Sequence, residues 1–226
     1  MNMRANRFLP AILTILVLPA LAGAAHAFSF DKDTIEGSGK METRTLDLAE
    51  FSAIDVGGAF DLEITLGDEQ KVVMTIDDNL WDNLEAEVHG NRLELGWDKS
   101  CSPDGDCKVE IVVRELGKVD VHGAADVEIT GYRGTSFEFN VSGAAELEMD
   151  GEVDELEISV SGAGEIDTRD LMAKSVEISV SGAGEAKVYA SESFEGRVSG
   201  VGNIDYYGDP EHTKVKVSGM GDIDRK

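Results

Sequence analysis

Acidic side chains recur at two fixed positions of a short phrase repeated along the second half of the chain. If the copies stack in register, each set forms a column of like charges about 5 Å apart, and these charges repel. A hard cation with oxygen ligands would relieve the repulsion, so calcium is the metal that the pattern suggests, with Glu146, Glu148, Glu165 and Asp167 as candidate ligands. The first set comprises Asp126, Glu146, Glu165, Glu185, Asn203 and Asp222, and the second Glu128, Glu148, Asp167, Lys187, Asp205 and Asp224.

A solvated acidic face is the alternative explanation of the same columns. Lys187 and Asn203 interrupt the two sets, which favours this explanation. Acidic side chains screened by salt keep an open sheet soluble and discourage pairing at its edge. No resident cofactor is therefore predicted.

The repeated acids also bear on catalysis. Glycoside hydrolases use two carboxylates about 5 to 9 Å apart, but such pairs are abundant in the columns and so do not indicate an active site. His122 stands where the other copies have serine, and it is expected one rung above Ser142. A serine that recurs before glycine is better explained as a small polar corner residue than as a nucleophile. No catalytic residue is predicted. This serine position holds Ser142, Ser161, Ser181, Ser199 and Ser218.

Four aromatic side chains could stack on sugar rings: Trp81, Trp97, Tyr206 and Tyr207. Packing in the opening rungs and the closing turn is the alternative for the same residues. Packing is the favoured explanation, and glycan binding without hydrolysis is the leading specific function within the binding class.

Two cysteines, Cys101 and Cys107, flank the turn sequence Ser-Pro-Asp-Gly-Asp. An oxidising compartment would join them in a local disulfide that closes this turn. Two thiols alone make a poor zinc site, and the spacing is not that of a Cys-x-x-Cys redox pair.

The elements that position these residues follow from an internal repeat. The phrase Val-Ser-Gly-x-Gly-acid-Ile, with small variations, begins at Val121, Val141, Val160, Val180, Val198 and Val217, in steps of 20, 19, 20, 18 and 19 residues. A degenerate copy begins at Val56. A fixed period of this length is typical of solenoids.

Each copy is preceded by a stretch that alternates apolar and polar residues, as in Leu156-Glu-Ile-Ser-Val160, and this pattern predicts a strand with one buried face. We expect the glycines to take positive φ at a tight corner. Units of about 19 residues cannot bury their apolar faces alone, so we predict an all-β, parallel, β-helix-like solenoid rather than an antiparallel meander. Each end is an exposed strand edge, which allows end-to-end self-association.

The chain divides into a targeting segment and a single domain. Residues 1–27 have a basic start, an apolar run and the small-residue site Ala25-His26-Ala27, which predict a signal peptide cleaved after Ala27. Residues 28–43 are expected to be an irregular lead-in, and residues 44–226 to form the solenoid. Within it, residues 44–118 form opening rungs with a hairpin across His89-Gly-Asn91 and the cysteine loop, and residues 119–226 form the regular repeats.

Net charge excludes several partners. The chain has 20 basic and 45 acidic residues, and removal of the segment with Arg4 and Arg7 leaves 18 minus 45, or −27. Nucleic acids and anionic membranes would be repelled. No second long apolar run follows residue 27, so no transmembrane anchor is expected after cleavage. We place the mature protein in the periplasm or at the cell surface, with a surface glycan or a protein as its ligand.

The layout resembles the exported bacterial family named putative auto-transporter adhesin, head GIN domain. The resemblance runs from about residue 45 to the end and is carried by Phe51–Phe60, Val72–Asn79, Leu93–Leu95, the repeated phrases and the closing segment Ile204–Pro210. It implies a right-handed β-helix-like fold and no established biochemical activity. We therefore predict a non-enzymatic cell-envelope module for binding or structure, with a polysaccharide lyase or hydrolase as the alternative.

Overall fold

The computed structural model describes residues 34–226, so the predicted signal peptide and residues 28–33 of the lead-in lie outside the described residues. The strands are β1 Ile35–Glu36, β2 Met41–Leu46, β3 Ala53–Val56, β4 Ala59–Leu66, β5 Lys71–Asp77, β6 Leu84–His89, β7 Arg92–Trp97, β8 Cys101–Ser102, β9 Lys108–Val113, β10 Lys118–Val121, β11 Ala124–Val141, β12 Ala144–Val160, β13 Ala163–Val180, β14 Ala183–Val198, β15 Val201–Tyr207, β16 His212–Val217 and β17 Ile223–Arg225. This part of the chain has one helical segment, the 3-10 turn Trp81–Asn83, and no helix long and apolar enough to cross a membrane.

The repeats stack in parallel, and the predicted solenoid is confirmed. Val141 of β11 pairs with Val121 on one side and Val160 on the other, and Val180 and Val198 continue the same column. The degenerate copy also joins the stack, because β3 pairs directly with β10 and β4 with β11. Each long strand begins directly after one Ser-Gly corner and ends directly before the next.

The core consists of columns of inward-facing side chains from successive rungs. One column contains Ile54, Val119, Phe139, Ile158 and Ile178, each at most 1% exposed. Burial of such a side chain stabilises the fold by about 1.5–3 kcal/mol. Because every column continues through several rungs, the apolar faces that one repeat leaves open are covered by its neighbours.

The Ser-Gly corners are held by close approach of successive backbones. A Cβ atom on Gly162 would lie 1.9 Å from the carbonyl oxygen of Gly143, and one on Gly182 would lie 1.9 Å from that of Gly162. Neither glycine has positive φ, so our expectation of a left-handed corner was wrong here. Glycine is required because the next rung lies where a side chain would begin.

The differences in repeat length are accommodated by register shifts that lie away from the Ser-Gly corner. The regions on both sides of the Ser-Gly corner keep their register, and the shifts fall between Ile129 and Tyr132, between Glu148 and Gly151, and between Thr168 and Ser175. We call the part of each rung in which these register shifts occur the bulged corner. Gly131 and Gly151 have positive φ there, at 66° and 124°.

The opening rungs contain antiparallel additions. Strands β6 and β7 form the predicted hairpin, which turns at Gly90 with φ of 68°. Strand β5 pairs antiparallel with β9 on one side and with β2 on the other. Because β2 begins at Met41, the last residues of the segment expected to be irregular are a regular strand, whose partner the repeat pattern could not reveal.

Candidate functional site

The two predicted acidic columns exist, and they line one face of the solenoid. Strand β4 extends both by one rung, since Asp61 pairs with Asp126 and Glu63 with Glu128. Glu146, Glu165, Glu185 and Asn203 continue the first column, and Glu148, Asp167, Lys187, Asp205 and Asp224 the second. A groove of about 320 Å³ lies over the rungs of β4, β11 and β12.

Burial and neighbouring charges together raise the pKa of two carboxylates in the first column. Burial raises the pKa of Asp61, and the neighbouring charge of Asp126 raises it further. The pKa of Glu146 is raised first by burial and then by Glu165 and Asp126. The negative charges of this face therefore act against one another, as the column pattern predicts.

The four candidate calcium ligands lie together but do not converge. Glu146 pairs with Glu165 and Glu148 with Asp167 across neighbouring strands. Asp167 is occupied by Arg169, whose Nε and Nη2 atoms lie 2.8 and 2.7 Å from its two carboxylate oxygens. Residues 34–226 contain no group of three His, Cys, Asp or Glu side chains arranged to share a metal ion. The face is thus a row of separate acids.

His122 lies one rung from Ser142, as the repeat spacing predicts. Its Nδ1 atom lies 2.9 Å from the Ser142 hydroxyl, and its Nε2 atom lies 3.4 Å from an oxygen of Asp55. The sequence pattern did not indicate Asp55, which is 67 residues earlier and is brought close by the direct pairing of β3 with β10. The three side chains resemble a serine–histidine–aspartate triad in composition.

The backbone around this group is already fully engaged. The N–H groups of Ser142 and Gly143 both donate to the carbonyl oxygen of Val121, and that of Ala144 donates to Gly123. A triad needs unengaged donors next to the serine to stabilise the oxyanion that forms during acyl transfer. The hydroxyls of Ser161 and Ser181 donate to the carbonyl oxygens of Val141 and Val160 in the preceding rungs. These serines tie successive rungs together.

A polar network continues from Asp55 along the same outer face. Arg92 Nη1 lies 3.2 Å from Asp55 and 3.2 Å from Asp120, which is only 6% exposed. Lys118 bridges Asp120 and Glu138, and its hydrogen bond to Glu138 lowers the pKa of that carboxyl group. The buried Asp120 charge is compensated by these two cations.

The aromatic candidates divide into buried and accessible ones. Trp81 and Tyr206 are each 9% exposed, Tyr206 stacks on Phe194 with ring centroids 4.2 Å apart, and both serve the core. Tyr207 lies under Arg169 at 6.0 Å. Trp97 is half-buried and stacks on Phe60 with centroids 5.5 Å apart, so that one side of its indole is supported by the core.

Trp97 lines a groove that the β6–β7 hairpin creates on the outer face of the first rungs. The groove has a volume of about 340 Å³, and its polar walls carry Asp55, Glu85, Glu87, His89 and Glu94. Antiparallel pairing places Glu87 opposite Glu94. Trp97 ends β7 on its core side, with Leu93 and Leu95, and borders the groove there, whereas the acids project from the outward side of the hairpin; we call it the Trp97 groove.

Both cysteines are free thiols in this structure, so the disulfide predicted from the sequence stays a prediction. Cys101 pairs with Ile35 through β8 and β1, while Cys107 is 4% exposed in the core. Burial raises the pKa of Cys107 to about 12, and the nearby Asp77 charge adds to this. The Asp77 carboxylate accepts N–H hydrogen bonds from Gly39 and Asp104 at 2.7 and 3.0 Å, which fixes the cysteine loop against the N-terminal segment.

Known structures share this fold. A putative adhesin from Bacteroides fragilis is 25% identical, with a TM-score of 0.67 over 85% of this chain and 100% of that one. A putative lipid binding protein from Parabacteroides distasonis is 23% identical (TM-score 0.55; 85% and 100% covered), and a putative adhesin from the same species is 20% identical (TM-score 0.51; 86% and 100% covered). No curated protein matches the sequence.

Residues 50–210 match the family described as putative auto-transporter adhesin, head GIN domain. The match includes the first rungs, the Trp97 groove and the acidic columns as far as Asp205, and it agrees with the resemblance found in the sequence. Together with the Bacteroides fragilis structure, it indicates an adhesin-like module of an exported or surface protein. The chain belongs to the head GIN domain family.

Proposed function

We propose that the mature protein is an exported, non-enzymatic module that binds a glycan in the Trp97 groove. The observation that carries the proposal is that Trp97, whose ring stacks on Phe60, borders the same groove that Glu85, Glu87 and Glu94 line. A sugar ring offers an apolar C–H face to the indole and hydroxyl donors to the carboxylates. The adhesin-like family is consistent with such a role.

The charge of the protein limits which glycan fits. With a net charge of −25, and four acids lining the groove, the surface repels sulfated and uronic-acid polymers. Neutral oligosaccharides and those with free amino groups are the chemistry that the groove accepts. A volume of about 340 Å³ lies at the lower end of ligand sites, which suits one or two sugar rings.

Export rests on the predicted signal peptide cleaved after Ala27. The periplasm and the cell surface are distinguished by adding external protease to intact cells that make a C-terminally tagged protein. A periplasmic control protein and a lysed sample are treated alongside. Digestion in intact cells is expected for a surface adhesin. Protection until lysis would place the glycan in the periplasm and overturn the surface role.

The binding test uses saturation-transfer NMR with neutral and amino-containing oligosaccharides on the mature protein. Trp97→Ala is expected to abolish the signal, and Glu87→Gln with Glu94→Gln to weaken it at least severalfold, while Tyr207→Ala leaves it unchanged. Thermal melts identify any variant that fails to fold. A wild-type protein silent with every oligosaccharide would overturn the glycan proposal, and new reducing ends in the sample would overturn the non-enzymatic one.

A further inference from the structure

Strand β16, at the C-terminal end of the stack, has one edge without a partner strand. Within residues 34–226, β16 pairs with β14 and with no other strand, and all six of its residues are exposed. Val215 and Val217 continue core columns but remain 50% and 44% exposed, whereas Val198 in the preceding rung is 1% exposed. The end of the core is thus uncovered beside an unpaired backbone.

The opposite end of the same sheet also has an open edge. Among the described strands, β6 pairs only with β7. Its Glu85, Glu87 and His89 are exposed, while Leu84, Ala86 and Val88 face the core and are half-buried. Both edges are therefore six residues long and alternate between an outward polar and an inward apolar or small side chain.

The two edges carry opposite charge. Strand β16 presents Lys214 and Lys216, and strand β6 presents Glu85 and Glu87. Antiparallel alignment that sets Lys214 opposite Glu87 also sets Lys216 opposite Glu85, Val215 opposite Ala86 and Val217 opposite Leu84. Both lysines then meet glutamates and both valines meet apolar groups, which is the arrangement that stabilises cross-strand pairs. The two remaining pairs of the six are Thr213 with Val88 and His212 with His89.

We propose that β16 of one copy pairs antiparallel with β6 of a second copy, so that the protein associates head to tail. Lysines on an edge strand normally prevent pairing with other chains. Here the glutamates of β6 neutralise them, and the lysines select this edge over a second β16, which would repel. Because the two surfaces differ, the contact is heterologous and leaves a free edge at each end for further copies.

Analytical ultracentrifugation of the mature chain tests the proposal over a range of concentrations at low and high salt. Concentration-dependent oligomers at low salt, reduced by high salt, are expected. Lys214→Glu with Lys216→Glu should give a monomer, and so should Glu85→Lys with Glu87→Lys. An equimolar mixture of the two double variants should reassemble, because each supplies the charge that the other lacks.

Restoration in the mixture separates the pairing from a fold defect, and thermal melts confirm that each variant is folded. Lys214 and Lys216 lie outside the Trp97 groove, and although Glu85 and Glu87 line it, the samples contain no glycan, so the self-association test does not depend on glycan binding. A wild-type chain that stays monomeric at low salt and high concentration would overturn the proposal. Oligomers that persist in both double variants would overturn it as well.

Discussion

The imidazole Nδ1 atom of His122 lies 2.9 Å from the hydroxyl oxygen of Ser142, one rung further along the solenoid. With Asp55 at its other nitrogen, the histidine joins three successive rungs through side chains alone. Because the backbone N–H groups at this corner are engaged, we infer that the contact is structural.

Ser142 is therefore expected to resist serine-directed reagents. A fluorophosphonate probe should label the mature protein no more than the Ser142→Ala variant, as measured by mass spectrometry. His122→Ser, which restores the residue found in the other copies, should fold with a Tm within about 3 °C of wild type, since surface substitutions usually change stability by less than about 0.5 kcal/mol. Stoichiometric labelling of Ser142 would contradict this interpretation.

Gly162→Ala should destabilise the fold strongly, because its Cβ would lie 1.9 Å from the carbonyl oxygen of Gly143. We expect a loss of about 2 kcal/mol or more in chemical denaturation. Gly164→Ala is the matched control: its Cβ would meet Val160 at 3.1 Å, and the same column carries Ala145 one rung earlier. Equal losses in the two variants would show that backbone approach is not the cause.

Replacing acids in the crowded columns should stabilise the protein at neutral pH. The pKa values of Asp61 and Glu146 are raised above their ordinary 3.8 and 4.5, so the folded state disfavours their charged forms. The resulting penalty is full above the raised pKa values, decreases as pH falls through them and disappears below the ordinary values. Asp61→Asn and Glu146→Gln should raise the Tm by about 1–3 °C at pH 7 and leave it unchanged near pH 3.

Glu138→Gln is the opposite control for this series. Its pKa is lowered, chiefly by the hydrogen bond from Lys118, so its charge stabilises the fold above the ordinary value of 4.5, and this contribution is lost as pH falls through the lowered pKa. Its removal should lower the Tm at pH 7 and matter little at the lowest pH. Tm changes that are the same at every pH would argue against titration as the cause in either variant.

Calcium is expected to have no specific effect on stability. The carboxylates stand in rows and do not surround a common point, so they offer an ion fewer ligands than the six to eight oxygens that calcium prefers. Millimolar calcium should raise the Tm no more than magnesium at the same concentration. A larger calcium shift that Glu146→Gln with Glu165→Gln removes would restore the cation hypothesis.

The cysteines should form a disulfide in the exported protein. Protein isolated from the periplasm or medium without reductant, and then denatured, should therefore show no free thiol with Ellman's reagent. After reduction, Cys101 should react before Cys107, whose thiol is buried and has a pKa of about 12. Two free thiols in the unreduced, denatured protein would contradict the disulfide.

The repeat pattern was sufficient to predict the stack and the acidic columns. Strict spacing about Val141 and Val160 fixes which residues meet across rungs, since parallel pairing of like phrases leaves one register that buries the apolar side. Hairpin β6–β7 was likewise predicted from its Gly-Asn turn. These features depend on local patterns that repeat or that have a known turn chemistry.

The remaining features depend on contacts that the repeat period does not predict. Asp55 meets His122 only because the intervening chain packs on the far sides of β3 and β4, where β7 pairs with β3 and β9 with β4, so that β3 and β10 become neighbours. The Trp97 groove similarly arises from a hairpin added to the sheet edge. At Gly162 the sequence indicated correctly that a glycine forms the corner, but not why glycine is needed. The reason is steric exclusion by the neighbouring rung and not positive φ, and only the positions of the rungs distinguish these two explanations.

The bulged corner has a consequence for engineering. Its register shifts accommodate differences of one or two residues between repeats while both sides of the Ser-Gly corner stay aligned. Short foreign peptides grafted after Gly131, Asp150 or Asp170 should therefore be accepted, whereas grafts at the Ser-Gly corner should be rejected. Rungs spaced by about 4.8 Å would then display several epitopes at defined intervals on one rigid scaffold.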